Sequence, residues 1–403
     1  MKKTTIRISA ATLGAAWLLA GCSSGSGSIP PFAQPAASGI PFAHTRAQTA
    51  TQYAYSSDFA SGDVDAYALD SKTGALKSLG LTVTVSGGGA QPLAVDSSGK
   101  YAYVASYFSN DVSAYAIDAA SGKLTPVSGS PFATGRSPDG VATDPKGHFA
   151  YVANSASDNV YAYSINSASG ALTAVKGSPY SIGGAALWVA VDPKGKFAYV
   201  AYAAASGAGY VAGFAINAKT GALTAVAGSP FSAGNTPGWI AIDPNDKYLY
   251  ATNEVSNNIS AYAIDASSGA LTAVPKSPFR AGGFPYSVTI DPAGKYLYAG
   301  NANSFNVSAY AIDASSGALT AVPGSPFASG IYPQNVAVDS TDSYLYVANY
   351  GTNYFTAGDI FGYAIDKSNG SLKPVTGSPF AKGGHLTGIA TCERTGKVCL
   401  QHL

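Results

Sequence analysis

Charge is scarce in this sequence, with only 11% of its 403 residues Asp, Glu, Lys or Arg, and so are sulfur and imidazole, at three Cys, one Met and four His. Each shortage removes a class of function. With no basic stripe there is no electrostatic footprint for nucleic acid. The Cys and His residues are too few and too widely spaced for a ligand cluster, so neither a metal nor a cofactor is expected. No Gly-rich phosphate loop and no nucleophile elbow occurs. Helix-forming Glu and Leu are few. What is abundant is 46 Gly, 27 Tyr and an apolar fraction of 46%, the composition of strands and turns.

The N-terminus departs from that pattern. Residues 1–21 have a basic start at Lys2, Lys3 and Arg7 and an apolar stretch from Ile8 to Gly21, too short to span a bilayer comfortably and laid out like a secretory signal. The stretch ends Leu19-Ala20-Gly21-Cys22, which resembles the lipobox of bacterial lipoproteins. That resemblance implies cleavage before Cys22, acylation of Cys22 and membrane attachment through its acyl chains. Ser23 in place of Asp implies the outer membrane, with the domain periplasmic or surface-facing. Removing the leader takes the net charge from +1 to about −2. Residues 22–52, rich in Ser, Gly, Pro and Ala, are expected to be a flexible tether, and residues 53–403 the folded domain. In an oxidising export compartment, Cys392 and Cys399 flank a turn and are expected to form a hairpin disulfide.

From residue 53 onward a repeat dominates. The motif aromatic-x-Tyr begins at Tyr53, Tyr101, Phe149, Phe197, Tyr248, Tyr296 and Tyr344, at steps of 48, 48, 48, 51, 48 and 48 residues, with a weaker eighth start at Val398. A period of that size suits four short strands, one propeller blade. The centres of the first strands are Leu93, Val141, Val189, Ile240, Val288, Val336 and Ile389. Seven of them predict an all-β, seven-bladed propeller of four-stranded antiparallel blades, with one blade completed by both ends of the chain. Small residues in first strands and tyrosines in second and third strands fit a wedge that is narrow at the axis and wide at the rim. The recurrent Ser-Pro-Phe or Ser-Pro-Tyr predicts the end of an outer, edge strand, because proline cannot donate to a ladder.

The Tyr-Val-Ala-Asn segments at 151–154 and 346–349 and Val-Asp-Pro-Lys-Gly-Lys at 191–196 resemble the YVTN-type repeats of the lactonase-like seven-bladed propellers. The resemblance implies that fold, and for the family's enzymes it implies hydrolysis of sugar lactones such as 6-phosphogluconolactone, or work on muconate lactones. Those enzymes show Pro-Arg-His entering a first strand and Asn-Glu ending a second. Asn253-Glu254 matches the second element; no repeat here keeps the Arg-His pair.

Loops joining fourth to first strands and second to third strands share one face of a propeller. That face is expected to gather Arg136, Asp139, Trp188, Trp239, Tyr286, Tyr332, Gln334, Asn335 and His385 around the channel mouth. Arg136 and Asp139 are read as a local ion pair or a ligand clamp, and Trp188 and Trp239 as a stacking platform or a channel plug. With Arg-His missing, the first functional expectation is a non-catalytic scaffold binding a polar ligand, glycan, peptide or protein at the cell envelope. The alternative is a lactone hydrolase built on Glu254, His385 and Arg136.

Overall fold

A computed structural model describes residues 52–352, 357–380 and 382–393. The chain divides into two units, 1–47 and 48–403, and all described residues belong to the second. The signal, the tether, Cys22, Cys399 and the copy at Val398 lie outside the described residues.

Seven antiparallel sheets form; in six of them four strands follow in sequence order outward from the axis, and a short fifth segment pairs with the third. Blade 3 is representative: Pro138–Thr143, Phe149–Asn154, Asn159–Ile165 and Leu172–Ala174. First strands of successive blades touch around the whole ring. Blade 1 is the composite one. The strands Gln52–Asp58, Asp63–Leu69 and Leu76–Thr84 receive their innermost partner from the other end of the chain, Leu386–Glu393, in register from Gln52↔Glu393 to Asp58↔Leu386. The ring therefore has no free inner edge. Cys392, on that closing strand, is disulfide-bonded.

The aromatic-x-Tyr motif joins each blade to the next. The second Tyr of the motif is buried and its hydroxyl donates to the carbonyl of a hairpin glycine one blade on: Tyr55 to Gly122, Tyr103 to Gly170, Tyr151 to Gly221, Tyr199 to Gly269, Tyr250 to Gly317, Tyr298 to Gly370 and Tyr346 to Gly74, at 2.8–3.1 Å. The ring of the first aromatic packs against the same glycine. At Gly269, for example, φ is +74° and an added Cβ would stand 2.4 Å from the Phe197 ring, so only glycine fits. Third-strand tyrosines reach the other way, with Tyr163, Tyr262 and Tyr310 donating to Ala133, Ser232 and Arg280 of the preceding blade. The expected inter-blade role of the tyrosines is what the structure shows.

The outer edge differs from expectation. The Ser-Pro bonds of the Ser-Pro-Phe and Ser-Pro-Tyr motifs, all cis, do not end the fourth strand but interrupt it. After three residues, Leu124–Pro126 in blade 2, the chain bulges outward and Phe132–Ala133 returns to pair with the same third strand. Inside the bulge the Ser130 hydroxyl accepts from Ala114 N–H, while Ala114 C=O accepts from Val127 N–H. The serine thus stands in for the missing strand acceptor, which satisfies a backbone donor that a proline-containing edge would leave open. Blades 3 to 7 repeat this bond through Ser178, Ser229, Ser277, Ser325 and Ser378.

On the opposite face, Asp96, Asp144, Asp192, Asp243, Asp291 and Asp339 end the first strands of blades 2 to 7, each accepting two backbone N–H groups of its own hairpin. The left-handed turn residue of that hairpin is glycine at 99, 147, 195 and 294 but aspartate at Asp246 (φ +60°) and Asp342 (φ +56°). These two carboxyls face Asp192 and Asp291 of the preceding blades. Burial, reinforced by the neighbouring charge, pushes Asp192 and Asp342 up to about 6. A carboxyl raised in the folded state favours folding in its protonated form, and that contribution is lost as pH climbs from about 4 through about 6. Replacing Asp342 with Gly removes both the charge and a non-glycine residue at positive φ. The expected gain is about 1 kcal/mol at pH 7.5 and less at pH 4.5, read from thermal melts at the two pH values.

Candidate functional site

The channel mouth is built by a bulge repeated in every blade. At the start of each first strand one residue drops out of the pairing with the second strand. In blade 3, Pro138 pairs with Asn154 and Gly140 with Ala153, leaving Asp139 unpaired; Leu187, Gly238, Tyr286 and Gln334 are skipped in blades 4 to 7. Gln91 falls within the corresponding irregularity of blade 2, and Thr387 within that of blade 1. Bulges re-aim side chains, and here they set a ring of seven variable positions at the mouth.

The residue before the bulge proline is left-handed without being glycine in four blades: Ser137, Thr236, Phe284 and Tyr332, at φ +51° to +60°. Such backbone is costly and concentrates where function requires it. Its carbonyl accepts the N–H of the residue just past the second strand, Ser155, Glu254, Ala302 and Tyr350 respectively. Glu254 is fixed in this way by Thr236 O at 2.9 Å. Its neighbour Asn253 serves the scaffold, accepting from Gly234 N–H and donating to Asn258 and Ser260.

Glu254 is 4% exposed and lies over Gly238, whose absent side chain makes the room: a Cβ there would stand 2.2 Å from Oε1. No described residue donates a hydrogen bond to its carboxyl, and burial, with the Asp139 charge adding to it, pushes it up to about 8. Asp139 accepts from Gln91 Nε2 at 3.0 Å, and burial pushes it up to about 7 against the opposing hydrogen bond from Ser155. Blades 3 and 5 thus bring two carboxyls into one field. Tyr286 lies in the same field: its phenol is raised well above the ordinary value by burial first and then by Glu254 and Asp139. Tyr332 is raised by burial and by Glu254.

One residue further along the inner strands, Trp188 and Trp239 stack with ring centroids 3.3 Å apart and planes at 20°. Both are buried, and Trp188 packs on Gly140. With both rings buried in one hydrophobic cluster, they offer no open stacking platform. The Trp188 indole N–H is buried without a partner. Across the mouth an aromatic arc runs Tyr286, Phe284, Tyr332, Tyr350 and His385, the last pair stacked at 4.5 Å.

Three sequence expectations need revision. Arg136 does not pair with Asp139: it sits exposed on the rim with its guanidinium donating to Ala156 O at 2.8 Å. The bulge turns Asp139 inward, away from a residue only three positions earlier. His385 does not join Glu254 but is held by Tyr350, through the ring stack and a 3.1 Å contact from Nδ1 to Tyr350 O. The charge acting on Glu254 is that of Asp139, a carboxyl, where a cation or imidazole was expected. Gln334 and Asn335 are buried at the mouth, Asn335 accepting from Ile389 N–H across to the closing strand. The signal for the carboxyl pair was present in the repeat alignment. Glu254 replaces Phe, Tyr, Ser or Ala at its position, and Asp139 is the one acidic residue among the bulge positions.

Comparison with known proteins bears on these features. A family model described as "Lactonase, 7-bladed beta-propeller" matches residues 28–188 and 279–385, more than half of the chain. No curated protein matches the sequence. Among solved structures, a Bacteroides fragilis protein provisionally named a 6-phosphogluconolactonase superposes with a TM-score of 0.74 at 21% identity, over 86% of this chain and 99% of its own. A periplasmic gluconolactonase of Pseudomonas aeruginosa superposes at 0.70 and 16% identity, over 85% of this chain and 99% of its own. These matches overturn the first functional expectation, the non-catalytic scaffold. That expectation counted only the missing Arg-His pair and overlooked the two raised carboxyls contributed by separate blades. The sevenfold ring, the composite first blade and the family match lead to one conclusion: this chain belongs to the seven-bladed β-propeller lactonase family.

Proposed function

We propose that the protein is a lactone hydrolase whose acid–base pair is Asp139 and Glu254. The observation carrying this reading is that the buried Glu254 carboxyl of blade 5 lies within the electrostatic reach of the Asp139 carboxyl of blade 3, one with a hydrogen-bond donor and one without. Asp139, accepting from Gln91, is the member better able to hold negative charge, and it takes a proton from the attacking water. Glu254 keeps its proton in its undonated setting and delivers it to the ring oxygen as the acyl C–O bond breaks. The water oxygen becomes part of the new carboxyl, the ring opens to a hydroxy acid that releases one proton to solvent, and the pair resets as Asp139 gives up the proton it took and Glu254 regains one. Tyr286, its phenol held neutral, is placed to donate to the carbonyl oxygen as charge develops there. The experiment is proton release from a panel of lactones by the full protein, compared with Asp139→Asn and Glu254→Gln.

We also propose that the domain is tethered in the envelope through acylated Cys22, with residues 22–52 as the tether. The support is Leu19-Ala20-Gly21-Cys22 after a basic start. Cys22→Ala is expected to shift the protein from the membrane to the soluble fraction on fractionation of cells, and persistence in the membrane would remove the anchor.

A further inference from the structure

Resting on the lactonase reading, we infer that the substrate is an uncharged, polyhydroxylated lactone, and that the mouth rejects phosphorylated or otherwise anionic lactones.

The argument is one of charge and shape. The groups facing the mouth from the bulge ring are Gln91, Asp139, Leu187, Gly238, Tyr286, Gln334 and Thr387. None of them is cationic. No Lys or Arg figures among the interactions that set the two carboxyls: burial and Ser155 act on Asp139, and burial and the Asp139 charge act on Glu254. The nearest cation in sequence, Arg136, spends its guanidinium on a backbone carbonyl at the exposed rim. A phosphate dianion entering here meets a carboxylate in a partly desolvated setting with nothing to pair it, where like charges repel most strongly. A phosphate site needs cationic forks or a helix N-terminus, and the described mouth has neither.

What the mouth does offer is the aromatic arc from Phe284 to His385 and the amides of Gln91 and Gln334. Aromatic faces take the C–H face of a sugar ring, and amides take its hydroxyls. The same field acts on the product. Hydrolysis turns a neutral lactone into a carboxylate anion, which the acidic mouth expels.

The test compares D-glucono-1,5-lactone with its 6-phosphate, by initial rates of proton release at pH 7.5 and low ionic strength. We expect kcat/KM for the neutral lactone to exceed that for the phosphorylated one at least 100-fold, with the ratio shrinking as salt is raised. Gln334→Lys is expected to recover turnover of the phosphorylated lactone by 10-fold or more. Equal or faster turnover of the phosphorylated lactone by the parent protein overturns the inference while leaving the lactonase reading intact. If neither lactone is turned over, the lactonase reading fails. The charge preference is then decided by equilibrium binding, followed by tryptophan fluorescence: an uncharged lactone amide analogue must bind more tightly than its 6-phosphate, and the reverse order overturns the inference.

Discussion

Asp139→Asn and Glu254→Gln should each lower kcat for lactone opening by about 100- to 10,000-fold with little change in KM, the loss typical of removing one positioned proton-transfer group. The two carboxyls interact, so they titrate as a pair with apparent values of about 7 and about 8. The active form carries one proton between them. Below about 7 the base is protonated, and above about 8 the acid is lost, so the rate profile should be bell-shaped with its maximum between these values. Either amide variant should reduce the bell to a single limb in its residual activity. A flat profile in the parent protein would exclude the pair. Stability should move in the opposite direction. The Glu254 carboxyl is raised in the folded state, so its neutral form favours folding, and that contribution disappears as pH rises through about 8. Glu254→Gln should therefore melt higher than the parent at pH 9, by an amount on the order of a few kcal/mol, and nearly together with it at pH 5. A variant that is slower yet more stable in alkali separates a functional loss from a folding defect.

Termination of the chain after Gly384 should abolish cooperative folding. The lost segment holds the innermost strand of blade 1, with Leu386, Ile389 and Ala390 buried at 3%, 3% and 1% exposure. Burial of its two large apolar side chains is worth about 1.5–3 kcal/mol each. The strand also supplies hydrogen bonds to both neighbouring blades, Thr387 to Ala90 O at 2.6 Å and Thr391 to Val338 O at 3.2 Å, besides a full ladder to Gln52–Asp58. Together these rival the whole stability of an ordinary domain, about 5–15 kcal/mol. Circular dichroism should show no sharp melt, and size-exclusion chromatography should show aggregates seeded by the bared strand edge. Grafting residues 385–393 ahead of Gln52 through a short linker should restore folding. A truncated protein that melts within a few degrees of the parent would deny the closing role of this strand.

The ring itself was legible in the sequence because its causes are local and repeated. Tyr55 and its six equivalents recur at the same place in every unit, so spacing alone exposes blade number, while the direction in which each bonds a glycine of the next blade needs the structure. The outer edge was misread because a proline suggests the end of a strand. That Ser130 supplies the acceptor which lets pairing resume is visible only with the backbone in hand. At the site, Asp139 was legible as a mouth residue and Glu254 as a candidate at a strand end, but not as partners. Their encounter depends on a one-residue bulge in one blade and on a missing side chain, Gly238, in another. Sequence proximity pointed instead to Arg136, which the same bulge leaves on the rim.

The Tyr-to-Gly bonds all run in one sense around the axis, so every blade presents a donor on one flank and the matching acceptor on the other. Any blade can in this respect follow any other. Duplicating or excising a whole 48-residue unit leaves compatible surfaces at the new junction, and the number of units in such a ring is limited by curvature rather than by recognition between particular neighbours. The scaffold can change its copy number without losing the contact that joins one blade to the next.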